Sequence, residues 1–335
     1  MVRKVLLVFF ALLALASIFE RGVAAQAGND CQVAFGNYWT LFGGCPPGAI
    51  IVNIEGPTLA TCLMWSFMCP PVAAPGETKP RCPAGGHPIC LASGNTYIDE
   101  TDIRIPGLSN GLTLMRTWNS MWPATQSALQ IGLFGPNWRS TYEERVFVGS
   151  DNYIKYGRGD GSFWSFGFNA GHWSVAAPAN VTATLSWGSS YWTLTFQNGE
   201  QRLFDVTSGK LISIIDRNGN TTQLSYDSLD RLVTVTDPVS RHLYFSYGDG
   251  GSYLVTAVTS DVGVSTSYSY DSQGRLIQVT EPDLSTLSFQ YNSQSLITAV
   301  TDSNGTILET HTYDSSARGL TSSRANGVDA ISVTY

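Results

Sequence analysis

The chain has 335 residues, of which 43% are hydrophobic and 13% are charged, and its formal net charge is −7. This length accommodates two or three domains, and the composition is typical of folded, β-rich material rather than of a disordered tail. The acidic balance, without a basic run or a basic-aromatic stripe, excludes nucleic acid as an expected partner.

The N-terminus has the pattern of a secretory signal peptide. Arg3 and Lys4 precede an apolar run at 5–18, and small residues at 23–25 suit a cleavage site. We therefore predict a cleavable signal peptide at 1–25 and a secreted or cell-surface protein. The apolar run is short for a bilayer span, so we expect no transmembrane helix in the mature chain. A retained membrane anchor is the alternative.

The next segment, 26–83, is rich in cysteine and proline. An even number of cysteines in an exported chain predicts disulfides, which would hold together a loop-rich segment with too much proline for regular elements. The sequence leaves the pairing open. A zinc site at Cys82, His87 and Cys90 is the alternative, disfavoured because the segment has no Cys-x-x-Cys pair. The disulfide candidates are Cys31, Cys45, Cys62, Cys69, Cys82 and Cys90.

The middle section, 84–200, is predicted to be an all-β module with a core of its own. All nine tryptophans of the chain lie at or before Trp192, and none lies in the segment that follows. Segments of alternating polarity separated by turn residues such as Asn198-Gly199 predict strands. Trp164, Trp173, Trp187 and Trp192 are expected to be core or cross-strand residues. An exposed platform for sugar rings, with cell-surface glycans as partners, is the alternative.

The C-terminal segment, 201–335, is periodic, because an aromatic residue returns every 21 to 23 positions. A period of this size marks a repeat architecture. Each unit has two stretches of alternating polarity joined by turn residues such as Asn218-Gly219, which predicts a β-hairpin. Stacked hairpins, about six here, would form one long antiparallel sheet. The anchors of the period are Phe204, Tyr226, Tyr247, Tyr270, Tyr291, Tyr313 and Tyr335.

An acid and an arginine accompany several of these anchors. We expect the carboxylate to accept hydrogen bonds from the turn backbone and the tyrosine ring to pack against the next repeat. The arginine would lie over a ring or beside the acid. These roles are structural rather than ligand-binding. The residues are Asp227, Arg231, Asp271, Gly274, Arg275, Asp314 and Arg318.

The pattern Tyr-Asp-x-x-Gly-Arg-Leu followed by Val-Thr-Asp resembles the YD repeat of the bacterial Rhs (rearrangement hot spot) proteins. Upstream, about 86–140 resembles the domain of unknown function that precedes YD repeats in that family, through motifs at 86–95, 100–106 (which includes Asp102), 111–120 (which includes Arg116) and 133–138. The resemblance implies an all-β fold in which hairpin repeats stack into a curved, spiral sheet. It also implies that an all-β cap module begins the sheet, here preceded by the disulfide-rich loop segment.

No catalytic constellation is present in the sequence: it contains no nucleophile elbow, no His-Glu-x-x-His and no phosphate loop. We therefore expect a non-enzymatic scaffold or partial shell without cofactor or metal, as the resemblance implies for toxin-delivery-type proteins. A carbohydrate-binding surface protein is the alternative. The array stops at the anchor Tyr335, so the expected partner is a C-terminal effector, or further repeats, of a longer chain.

Overall fold

The computed structural model describes residues 32–41, 49–54, 59–68, 84–85, 88–122, 129–149, 153–169, 172–178 and 181–335. Throughout these ranges the fold is all-β, which confirms the predicted class. The strands form one very long antiparallel sheet and four small sheets. Two short 3-10 turns, Leu108–Asn110 and Ala325–Gly327, are the helical elements of the described part.

The cysteine-rich segment contains strands, so the prediction of a loop-rich segment is wrong for the described ranges 32–41, 49–54 and 59–68. Strands β1 (Gln32–Leu41), β2 (Ala49–Ile54) and β3 (Leu59–Met68) form an antiparallel sheet in the order β1-β3-β2. The prolines at 46, 47 and 57 lie outside the described residues.

A compact set of small sheets follows, and we call residues 88–140 the module. Its main sheet has the order β10-β7-β6. Leucine and other large side chains alternate along β7 so that one face is buried. The strands of this region are β4 (Ala84–Gly85), β5 (Ile89–Cys90), β6 (Tyr97–Ile105), β7 (Leu112–Asn119), β8 (Ile131–Gly132), β9 (Gly135–Pro136) and β10 (Trp138–Ser140).

All remaining strands belong to one antiparallel sheet of nineteen strands, in which each strand pairs with the next along the chain. We call it the long sheet. Its strands are β11 (Arg145–Val148), β12 (Ile154–Gly157), β13 (Phe163–Asn169), β14 (His172–Ala177), β15 (Ala183–Trp187), β16 (Tyr191–Phe196), β17 (Gln201–Asp205), β18 (Leu211–Ile215), β19 (Thr221–Tyr226), β20 (Leu232–Thr236), β21 (His242–Tyr247), β22 (Val255–Ser260), β23 (Ser265–Tyr270), β24 (Leu276–Thr280), β25 (Thr286–Tyr291), β26 (Ile297–Asp302), β27 (Ile307–Tyr313), β28 (Gly319–Arg324) and β29 (Ile331–Ser332).

The long sheet crosses the predicted boundary between 200 and 201 without a break. Strands β16 and β17 pair from Tyr191–Asp205 to Thr195–Gln201 around the turn at Gly199. One cluster of buried apolar side chains extends from Ile98 in the module to Val300 in the repeats. The separate core expected for 84–200 is therefore wrong, because the same sheet supplies the buried face on both sides of the boundary.

The beginning of the long sheet bends back on itself. Arg145 in β11 forms a β-bridge with Lys210, which lies beyond β17, and the Val146 N–H donates to the Gly209 carbonyl at 2.9 Å. Gly209 has φ +70°, and a Cβ there would overlap the Val146 carbonyl oxygen. Glycine is required at this close approach, which gives β11 backbone partners and reduces its exposed edge.

Candidate functional site: the repeat turns and the inner face of the long sheet

The Tyr-Asp turns share one hydrogen-bond pattern. In the copy that begins at Tyr226, Asp227 Oδ1 accepts from the Leu229 and Arg231 N–H groups at 3.0 and 2.9 Å, and Asp227 Oδ2 accepts from Arg231 Nε at 2.8 Å. These bonds from the Arg231 backbone and side chain lower the pKa of Asp227. Asp271 with Arg275 and Asp314 with Arg318 form the same arrangement.

Turns that depart from the motif keep its geometry by other means. In the copy that begins at Tyr291, Asn292 Oδ1 accepts from the N–H groups of the second and fourth residues after it, at 2.9 and 3.0 Å. Gly274 has φ +73°, and Asp230, Ser295 and Ala317 take a similar left-handed conformation at the same place in their own turns. The strain of three non-glycine residues is therefore accepted where the repeat geometry requires it.

Each anchor tyrosine joins its repeat to the preceding one. The hydroxyl of Tyr247 donates at 2.7 Å to the carbonyl of Leu232, the first residue of β20. A β-bulge lies at each anchor from Phe204 to Tyr313, where the next strand skips one residue, as between Ser246 and Tyr247. The equivalent bonds run from Tyr226 to Leu211, Tyr270 to Val255, Tyr291 to Leu276 and Tyr313 to Ile297, all at 2.7 Å, and from Tyr335 to Gly319 at 3.0 Å. Phe204 lacks a hydroxyl and is fully buried.

A cation covers several of these rings. Arg231 lies 4.6 Å from the ring centre of Tyr247, and Arg275 lies 4.9 Å from that of Tyr291. Arg318 lies 4.4 Å from the ring centre of Tyr335. Each arginine thus bonds the acid of its own turn and contacts the anchor of the next repeat. Lys210 contacts the Tyr226 ring in the same way at 5.2 Å, although the sequence pattern did not include it.

The inner face, by which we mean the face of the long sheet that contacts the module, carries a row of residues two positions before each anchor. The strand period of two places them on the face opposite to the solvent-exposed side chains. Aromatic side chains of the module, together with Tyr142 just after it, meet this row edge to face or tilted, a favoured geometry for ring pairs. The ring-centre distances are 6.4 Å for Tyr142–Phe245, 4.8 Å for Phe134–Tyr268 and 5.4 Å for Trp138–Phe289, and Trp118 meets the anchor Tyr313 at 6.3 Å.

A buried ion pair lies at the centre of this contact. Arg116 Nε and Nη2 donate to the Asp102 carboxylate at 2.5 and 2.7 Å, and both side chains are fully buried. Tyr268 of the long sheet donates to Asp102 Oδ2 at 2.7 Å. Burial alone would lower the pKa of Arg116, but the charge of Asp102 outweighs it, so the pKa is raised and the guanidinium stays charged.

Aromatic rings surround the same guanidinium. Its central carbon lies 4.6 Å from the Trp138 ring, 5.5 Å from the Tyr268 ring and 5.6 Å from the Phe134 ring. The pair therefore joins module and long sheet through one carboxylate and three rings. Sequence reasoning noted Arg116 and Asp102 as parts of a familiar pattern and assigned them no role. The available signal was that Arg116 shares the buried register of Leu112, Leu114 and Trp118.

Backbone hydrogen bonds also join the module to the repeats. The Val255 N–H donates to the Leu133 carbonyl at 2.9 Å, and the Gly319 N–H donates to the Gly94 carbonyl at 2.8 Å. Both donors are first residues of strands next to a bulge, where the ladder leaves an N–H without a sheet partner. The module thus supplies acceptors that two repeats need.

The four tryptophans of the predicted sugar platform do not form one exposed surface, so that alternative is wrong. Trp173 and Trp192 are each only 5% exposed and belong to the core, because their strands present them to the buried face. Trp164 and Trp187 are partly buried and pack against the same core. Trp164 is further covered by Arg158, 5.2 Å from its ring centre.

Cys90 is disulfide-bonded. The side chains of Cys31, Cys45, Cys62, Cys69 and Cys82 lie outside the described residues, as does the predicted signal peptide at 1–25. Across the described ranges, no helix has the length and apolar character needed to traverse a bilayer. Within the same ranges, no three His, Cys, Asp or Glu side chains converge so as to hold a metal ion.

Comparison with known proteins agrees with this all-β repeat scaffold. A domain of unknown function, DUF6531, matches residues 86–166, and the RHS repeat matches residues 205–241 and 254–286. The first match extends beyond the module into β11, β12 and β13. DUF6531 followed by the RHS repeat is the order expected of an Rhs/YD-repeat protein whose N-terminal domain precedes the repeats. The resemblance to that family inferred from the sequence is therefore confirmed.

Among curated proteins, the chain is 28% identical over 141 residues to the tRNA nuclease WapA of Bacillus subtilis (strain 168). It is 27% identical over 141 residues to the tRNA3(Ser)-specific nuclease WapA of Bacillus spizizenii. Each match covers 42% of this chain and 6% of the relative, so the chain spans a small part of the curated relatives it matches.

Among solved structures, a crystal structure of TcdB2-TccC3 matches 80% of this chain and 18% of that chain, with 11% identity and a TM-score of 0.28. The Photorhabdus luminescens Tc holotoxin pore matches 65% of this chain and 14% of that chain, with 11% identity and a TM-score of 0.26.

Proposed function

We propose that this chain is part of an exported, non-enzymatic Rhs scaffold, in which the long sheet serves as a wall in a toxin-delivery-type system. The observation that carries the proposal is the repeated bond from each anchor tyrosine to the preceding repeat. This bond makes the stability of each repeat depend on its neighbour, which is how stacked arrays obtain a continuous buried face from units too small to fold alone.

The polar groups of the inner face favour a structural role. Asp102 is bonded to Arg116 and Tyr268, and Asp237 is bonded to Arg241. A catalytic acid must be able to exchange a proton with a substrate within hydrogen-bond reach. Carboxylates committed to arginines instead hold the module and the turns in place.

The curated relatives are named for a tRNA-nuclease activity. The part of the relative that matches this chain is only 6% of its length. We propose that the matched part is scaffold and carries none of that activity. Purified full chain incubated with total tRNA should leave the tRNA intact over the time in which a control nuclease digests it. Cleavage that copurifies with the folded chain and is lost in an Asp271→Asn variant would overturn this.

Export is the second part of the proposal and needs its own experiment. The chain expressed with residues 1–25 in a bacterial host should be recovered outside the cytoplasm with its N-terminus near residue 26. A variant without 1–25 should stay inside. Recovery of the full chain in the cytoplasm, with Met1 intact, would contradict export and would leave the scaffold role to be judged by the tRNA assay.

A further inference from the structure

One repeat places a carboxylate differently from its neighbours. The Val-Thr-Asp element of the repeat occurs at 235–237 and 300–302, but one of the two copies between them reads Val279-Thr280-Glu281. The three turns have the same backbone geometry: the acid's N–H donates to the carbonyl four residues on, at 3.0 Å for Asp237, 2.9 Å for Glu281 and 3.0 Å for Asp302. The difference is therefore confined to the side chain.

In the two aspartate turns the carboxylate is committed to the turn itself. Asp237 Oδ1 accepts from two backbone N–H groups at 3.0 and 2.9 Å, and Asp302 Oδ1 accepts from two at 2.8 Å. Glu281 makes neither bond within the described residues, because the extra methylene carries its carboxylate past the turn. Asp283 accepts the turn N–H of Ser285 at 2.9 Å instead. The Glu281 carboxylate is thus released from the role that the repeat gives to this position.

The strand period directs the released carboxylate toward the module. Val279 pairs with Tyr268 on the inner face and is fully buried, and Glu281, two residues later, lies on that face as well. Continuing the register of β23 and β24 places Glu281 opposite Thr266. The Thr266 hydroxyl donates to the Asp102 carbonyl at 3.2 Å, so this position lies beside the buried ion pair.

Negatively charged groups outnumber positively charged ones around Glu281. Strand β6 contributes Asp102 and Glu100, and β7 contributes Arg116, whose guanidinium is already paired with Asp102. The turn contributes Asp283, and β23 contributes the hydroxyl of Tyr268. Burial first, and then the negative charge of Asp102, raise the pKa of Glu281 to about 7. An ionised Glu281 would place a further negative charge beside a pair that is already neutral.

We propose that Glu281 makes the contact between the module and the long sheet sensitive to pH, tight when its carboxyl group is protonated and weaker when it is ionised. This regulation is independent of what the scaffold holds or delivers. A group whose pKa is higher in the folded than in the unfolded chain contributes stability below its unfolded pKa, and that contribution is lost as the pH rises through the folded value. The loss should therefore be complete near pH 8.

The distribution of tryptophan allows the contact to be measured in the full chain. Trp118 and Trp138 are fully buried between the module and the long sheet, and no tryptophan lies after residue 192. Urea unfolding followed by tryptophan emission should be compared between pH 5.5 and pH 8 for the wild type and Glu281→Gln. The glutamine is close to the protonated carboxyl group in shape, so this variant should fold.

From pH 5.5 to 8, the unfolding equilibrium constant of the wild type should rise about tenfold more than that of Glu281→Gln, after allowance for the partial exposure of the carboxyl group. Every other side chain is common to both proteins, so the ratio of the two constants isolates Glu281. Glu281→Asp should resemble Glu281→Gln, because the shorter acid can bond the turn as Asp237 does. Asp283→Asn, in the same turn, should keep the wild-type response. A ratio that changes less than twofold over this range would overturn the proposal.

Discussion

Replacing Asp102 by Asn should be among the most damaging single changes in this chain. The carboxylate accepts three hydrogen bonds, at 2.5 and 2.7 Å from Arg116 and at 2.7 Å from Tyr268, and the ion pair is fully buried. Asparagine keeps the shape and leaves the guanidinium without its counter-charge. Removing one partner of a buried pair costs about 3–5 kcal/mol, and two hydrogen bonds from a charged group at about 1.5–3 kcal/mol each sum to about 3–6 kcal/mol, which agrees with it.

The measurement is the free energy of unfolding in urea, followed by tryptophan emission at pH 6. Asp329→Asn is a matched control, since Asp329 and Arg324 are 4.0 Å apart with more than half of each side chain exposed; it should change stability by less than about 0.5 kcal/mol. Asp102→Leu combined with Arg116→Met should recover much of the loss, because no buried charge is left unpaired. A cost for Asp102→Asn below about 1 kcal/mol, or a double variant as damaging as the sum of its parts, would refute the reasoning.

Three further changes test the repeats and the core. Tyr247→Phe should cost about 1 kcal/mol for the hydroxyl bond to the preceding repeat, whereas Tyr244→Phe, on the exposed face, should cost almost nothing in the same urea titration. Trp192→Ala should destabilise the chain by about 3–5 kcal/mol because it truncates a core side chain. A variant with wild-type stability would show that Trp192 is not a core residue. Gly135→Ala, where a Cβ would lie 2.5 Å from a carbonyl oxygen, should lower the melting temperature far more than Gly219→Ala, where φ is also positive but the space is open; equal effects would show that φ alone decides.

The periodic part of the fold was predictable because its signals are local. The spacing of Tyr226, Tyr247 and Tyr270 and the turn residues between them determine hairpins without reference to distant residues. The continuity of the sheet and core across residue 200 was missed for the opposite reason. Tryptophan usage changes there, yet Asn198-Gly199 is the same kind of hairpin turn as those that follow, and composition does not decide which strands pair.

The contact between module and long sheet was not predictable in the same way. The period indicates that Phe245, Tyr268 and Phe289 share a face, but their partners lie more than a hundred residues upstream. The one accessible signal was Arg116, a charged residue in the buried register of a strand. A charge in that register requires a partner. The β6–β7 pairing places Glu100 opposite Arg116, but the bulge between Thr101 and Ile103 brings Asp102 to it instead.

The repeat contains two kinds of position that meet different structural demands. The anchor tyrosine, the turn acid and the arginine bond within their own turn and to the adjacent repeat, so the same chemistry recurs from copy to copy and the period is visible in the sequence. The position two before the anchor faces the module, and each copy meets a different side chain there. It is accordingly Leu224, Phe245, Tyr268, Phe289 and His311 in successive copies. The same distinction explains Glu281: a position that is aspartate where it bonds its own turn becomes glutamate where the inner face reaches the ion pair. Departures from the repeat pattern, rather than the pattern itself, therefore indicate the positions at which the long sheet makes specific contacts with the module.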